Sequence, residues 1–211
     1  MAKTSRTDII LPGDPTAALH AVPKQYSDRL VPHIPLDGNS MSASGGVETA
    51  ARFNNSSFAG TSGKLWVSYF TNTADTTITK LAMVVANTGA TGITLARLAL
   101  FTVAPDGSIT KVAQTASDNA VGASAYNVYE RVFSTVGGFP SSYALVSGTR
   151  YALGFLQAAT TACDLSGEYV IDSGAAPIPS RVIAAQVDIG ASYAVASLPV
   201  SGFVIYLRGR Q

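Results

Sequence analysis

Charge is scarce in this chain. Only 13 % of its 211 residues are Asp, Glu, Lys or Arg, about half the usual share of roughly 25 %. The formal net charge is +1 and the basic residues do not cluster, so the electrostatic footprint of a nucleic-acid binder is missing. Cys163 is the single cysteine, which excludes an internal disulfide. Apolar residues make up 47 %, yet no run approaches the roughly eighteen needed for a membrane-spanning helix. Residues 1–7 carry charges with no apolar stretch behind them, so no signal peptide is expected. Histidine is nearly absent: His20 and His33 stand thirteen positions apart, without a third metal ligand of the usual kind nearby.

The rest is rich in Gly, Ala, Ser and Thr, with aliphatic and aromatic residues recurring throughout. Such a chain is long enough to bury a core without staples, and it is not disordered in composition. Low charge with many small polar residues suits a surface covered by neighbouring chains, as in assembled structural proteins, and is shared by secreted β-proteins.

Residues 1 to 60 read as an extended arm. Pro12, Pro15, Pro23, Pro32 and Pro35 punctuate its first half, and Asp37-Gly38-Asn39-Ser40, Ser44-Gly45-Gly46 and Asn54-Asn55-Ser56-Ser57 its second. No strand of ordinary length fits there. Asp14 can cap a short helix with Pro15 at its first position, and Pro23 stops it. A second two-turn helix can begin at Pro23 and hold Tyr26 and Leu30 on one face. Alone it is marginal in water and needs partners.

From Lys64 onward the pattern is strands. Leu65 to Phe70 is aromatic and β-branched, Thr76 to Val85 follows, and Ile93 to Val103 alternates with both faces partly apolar. Ala104-Pro105-Asp106-Gly107 is a turn, and Ser108 to Val112 returns as the hairpin partner. Tyr126 to Val136 alternates again, with Tyr126, Val128, Glu130, Val132 and Ser134 on one face. Arg150 to Gln157, Gly167 to Ile171, Arg181 to Val187 and Gly202 to Leu207 complete the set. The pattern predicts an all-β fold, an antiparallel sandwich or jelly roll over residues 61 to 211.

Two groups of residues carry a resemblance. Asp14, Pro15, Thr16, Ala18, Ala21, Lys24, Gln25, Tyr26 and Asp28 fit a segment that recurs in tailed-phage tail-fibre and minor tail proteins, with Pro23 and Ser27 departing from the usual Thr and Val. Asp106, Gly107, Val112 and Ala113, then Gly148, Tyr151, Ala152 and Gly154, are similar to the hairpin and following strand of the C-terminal sandwich in phage minor tail proteins. The resemblance implies a virion structural protein assembled in the host cytoplasm, a homotrimer that contacts other virion proteins and possesses a sandwich able to face a host-surface glycan. Oligomer contacts are then expected through Leu19, Tyr26 and Leu30. A capsid decoration protein and a free carbohydrate-binding module are the alternatives.

Chemistry is sparse. No nucleophile elbow, phosphate loop or dinucleotide fingerprint occurs, and no constellation of acid, base and nucleophile stands out. The expectation is no enzyme, no cofactor and no metal. Asp164, Glu168 and Asp172 recur every fourth position, but on a strand they lie too far apart for one ion and read as solvated charges. Cys163 reads as a buried thiol. For a sugar, the tyrosines in loop-rich surroundings, Tyr126, Tyr129 and Tyr193, are the expected contacts.

Overall fold

The structure is a computed structural model of the chain. It describes residues 40–42, 46–49, 56–169 and 178–211. The chain divides into two compact units, residues 1–33 and 34–211, and all described residues lie in the second.

Strand is the dominant regular structure of the described residues, joined by turns and one 3-10 turn, Val195–Ser197. In chain order the strands are β1 (Ser40–Ser42), β2 (Gly46–Glu48), β3 (Ser56–Ala59), β4 (Lys64–Thr71), β5 (Thr76–Ile78) and β6 (Lys80–Val84). Next come β7 (Leu95–Val103), β8 (Ile109–Gln114), β9 (Val128–Val132), β10 (Tyr143–Leu145) and β11 (Arg150–Ala158). The last are β12 (Asp164–Tyr169), β13 (Ser180–Ile183), β14 (Ser192–Tyr193), β15 (Phe203–Ile205) and β16 (Leu207–Arg210). Every pairing is antiparallel.

A six-stranded sheet, ordered β13-β4-β11-β7-β8-β14, forms one layer. A five-stranded sheet, β1-β2-β16-β6-β9, and a three-stranded one, β15-β12-β3, contribute the apolar side chains that meet it. Strands β10 and β5 pair separately. This is the all-β sandwich that the alternation predicts. Strands β1 to β3 are three or four residues long, too short for a periodic signal, and tertiary pairing rather than local propensity places them in the sheets.

The six-stranded sheet is buried on both faces, which explains why its central strands read as near-continuous apolar runs. One face presents Trp66 and Phe70 from β4, Leu98 and Leu100 from β7, and Leu153 and Phe155 from β11. These pack with Leu81, Met83, Leu165, Phe203 and Leu207 of the smaller sheets. The opposite face presents Leu65, Val67, Tyr69, Ala99, Phe101, Ala152 and Leu156, and the segment from Ile183 to Leu198 covers it. That segment is pinned by polar contacts. Arg97 Nη1 donates to both oxygens of Asp188, at 2.8 and 2.6 Å, and Lys111 Nζ donates to the Ile189 carbonyl at 2.6 Å.

The predicted hairpin forms between β7 and β8. Gly107 takes φ +86°, which only glycine adopts cheaply, and Asp106 Oδ1 accepts from the Ser108 N–H at 2.9 Å. Farther along the pair the register slips, so that Leu100 faces Ala113 while Phe101 faces Lys111. Val112 is the extra residue of a β-bulge.

Candidate functional site

The chain between β8 and β9 is long and its ends are well tied. Thr115 N–H bonds the Leu98 carbonyl at 2.9 Å, and Asp118 N–H bonds that of Ala96 at 3.0 Å. Val121 is buried in the core. Tyr126 then sits at φ +53°, a left-handed conformation unusual for a side chain of this size. It is held there by its own N–H on the Ala86 carbonyl, at 2.8 Å, and by Val85 N–H on the Asn127 carbonyl, at 3.0 Å. The residue is 79 % exposed.

Strand β9 is the last strand of its sheet. Tyr129 and the following Phe133 turn inward and are buried. Alternation then places Val128, Glu130 and Val132 on the outer face. Val128 is 55 % exposed, Val132 64 % and Val136, just beyond the strand, 76 %. Four of the eight large apolar residues exposed among the described residues therefore fall within residues 126–136. The others, Val146, Tyr169, Val187 and Val200, are scattered singly, as surface apolar residues normally are.

A charge cluster stands beside this stripe. Register pairs Lys80 with Val132 and Ala82 with Glu130, and Arg210 with Lys80, so these side chains share the outer face. Glu130 lies 3.5 Å from Lys80 Nζ and 3.2 Å from Arg210 Nη1. On the inner side, Arg131 Nε donates to Asp118 Oδ2 at 2.6 Å, while Asp118 Oδ1 accepts from the Ala120 N–H at 2.8 Å. The Ala120 bond first, and the Arg131 bond after it, hold the Asp118 carboxyl below its ordinary range. The stabilisation from these contacts is present above that ordinary range and disappears as pH falls through the lowered value.

The three tyrosines expected at a sugar site are not brought together. Tyr126 is exposed. Tyr129 packs in the sandwich core, and its hydroxyl accepts from the Ser124 N–H at 2.6 Å. Tyr193 packs against the opposite face of the six-stranded sheet, where its hydroxyl donates to Gln186 Oε1 at 3.0 Å and accepts from the Gly190 N–H at 2.6 Å. Leu19, Tyr26 and Leu30 lie outside the described residues, as do His20, His33 and Asp172. Asp164 and Glu168 lie on β12, and among the described residues no three metal-ligating side chains cluster. Cys163 is fully buried, and burial pushes its thiol up to about 12. It flanks a cavity of about 10 Å³ lined also by Lys64, Trp66, Phe155 and Gln157, room for a single water.

Alternation in the sequence puts Val128 and Val132 on one face of β9 without fixing which way that face turns. The signal was available in the neighbours: Tyr129 and Phe133 offer more apolar area to the core than two valines do.

No family model matches the chain, and no curated protein matches it.

Proposed function

We propose that the chain is a structural component of a tailed-phage particle, a minor tail or fibre-like protein working as a homotrimer, in which the stripe from Tyr126 to Val136 is a subunit contact. The observation that carries this reading is the stripe itself: four large apolar side chains exposed within eleven consecutive residues, in a chain with half the usual charge. Exposed apolar side chains gathered on one strand favour an interaction site, and the Glu130, Lys80 and Arg210 charges interleaved with them supply its polar contacts. The tail-fibre-like segment from Asp14 to Asp28 supplies the kind of assembly, and Leu19, Tyr26 and Leu30 are the arm's proposed contributors.

The work of such a protein is mechanical and adhesive. A trimer displays every surface feature three times, so weak individual contacts with a host glycan add through multivalency. Tyr126, exposed and held by its backbone, is the tyrosine best placed to offer a ring to a sugar.

The test is a double substitution, Val128→Lys with Val132→Lys. Both side chains point to solvent, so the fold is expected to survive with an unchanged circular dichroism spectrum. Burying two half-exposed valines contributes about 1–2 kcal/mol, so the trimer's dissociation constant should rise about 5- to 30-fold. Sedimentation equilibrium reads it, and a variant that associates as tightly as the parent contradicts the contact.

A further inference from the structure

The edge of β9 carries a second feature, independent of its side-chain stripe. In an antiparallel pair, alternate residues turn their backbone groups toward the neighbour and away from it. Val85 N–H bonds Asn127 C=O, and Phe133 N–H bonds Thr79 C=O, which fixes the parity. Tyr129 and Arg131 face β6, whereas Val128 and Glu130 direct their backbone N–H and C=O groups to the open side; beyond them the chain closes that side itself, with Phe133 bridged to Thr115 and Ser134 N–H on the Gln114 carbonyl at 2.7 Å. An edge of this kind, flanked by exposed valines, is a template for strand addition by another chain.

Two of those outward groups are already occupied by side chains. Asn127 Oδ1 accepts from the Val128 N–H at 2.9 Å, and Arg131 Nη1 donates to the Glu130 carbonyl at 2.7 Å. Arg131 is in turn gripped by Asp118 at 2.6 Å, and Asp118 belongs to a loop tied to β7 through the Ala96 carbonyl, at 3.0 Å. An inward-pointing charged residue is a known means of blunting an edge.

We propose that Asn127, Arg131 and Asp118 form a guard that closes the β9 edge against strand addition by a second copy of this chain. The guard leaves the valines free for side-chain contact while denying the backbone ladder that would propagate open-ended association. It does not depend on the trimer: a monomeric sandwich with this edge needs the same protection.

The test uses the full chain and a fluorescent peptide copying residues 126–134. Parent protein should bind it negligibly at 100-fold molar excess of protein over peptide. Asn127→Ala with Arg131→Ala should bind at least about 10-fold tighter, with new amide protection across 128–130. Asp118→Ala keeps both capping side chains but frees Arg131, and should bind to an intermediate degree. Binding by the parent overturns the guard, and so does absence of binding by either variant when folded. Amide exchange in the parent settles the matter if both variants unfold: a slow Val128 amide beside a fast Glu130 amide supports the guard, and equal rates overturn it.

Discussion

Phe155→Ala should lower the folding free energy by about 3–5 kcal/mol, the range for deleting a buried aromatic ring. Phe155 is central in every direction. It lies on β11, between Trp66 of β4 and Leu98 of β7 in the register, and is 2 % exposed. The flanking side chains cannot close in, because β4 and β7 are held by the ladders on both sides of β11. The void would also open onto the small cavity beside Cys163 and Gln157, so relaxation is poor and the upper half of the range is expected. For a domain of this size that is a fall of roughly 8–20 °C in Tm. Thermal unfolding measures it. A loss below about 1 kcal/mol would mean that the two sandwich layers do not meet at this residue.

Gly167→Ala should be the most damaging single-methyl change, for a different reason. A Cβ at Gly167 would lie 2.1 Å from the Val204 carbonyl oxygen and 2.9 Å from Phe203 Cε1. The first is backbone of the adjacent strand, β15, and cannot swing aside. Phe203 also stacks on Phe58 at 4.8 Å and meets Tyr169 edge-on at 5.0 Å, so moving it disturbs a cluster that reaches Trp66 through Phe58. Overpacking against backbone is expected to cost about 3 kcal/mol. Gly148→Ala is the control. Gly148 has φ +75° but nothing within 4 Å of its would-be Cβ, so only the conformational cost of about 1–2 kcal/mol applies. Urea unfolding of both variants should rank them in that order, and equal losses would remove the steric explanation.

The sequence carried the sandwich because its central strands are long and their chemistry unambiguous. Leu65 to Phe70 and Arg150 to Gln157 are too short for buried helices and too rich in aromatic and β-branched residues for loops. The Asp106-Gly107 turn was readable for the same local reason. Less was legible wherever partners decide. Strands β2 and β3 consist of Gly-Val-Glu and Ser-Ser-Phe-Ala, which mean nothing until β16 and β12 lie beside them. Strand β12 begins at Asp164 rather than near Gly167 because β3 pairs with its first four residues.

The candidate surface shows the same division. Tyr126 lies in the loop-rich surroundings that predict exposure and is exposed, whereas Tyr129, three residues away, is drawn inward by the alternation of β9. The apolar stripe and the guard on its edge depend on which face of β9 meets the core. Periodicity gives two faces without naming them.

The most direct measurement is the solution mass of the full chain by light scattering, repeated on Tyr26→Asp with Leu30→Asp. A trimer for the parent that falls to a monomer in the variant is the result expected of a fibre-like component whose arm joins its copies. A parent that stays monomeric at every concentration would contradict the trimer and the subunit contact proposed for β9.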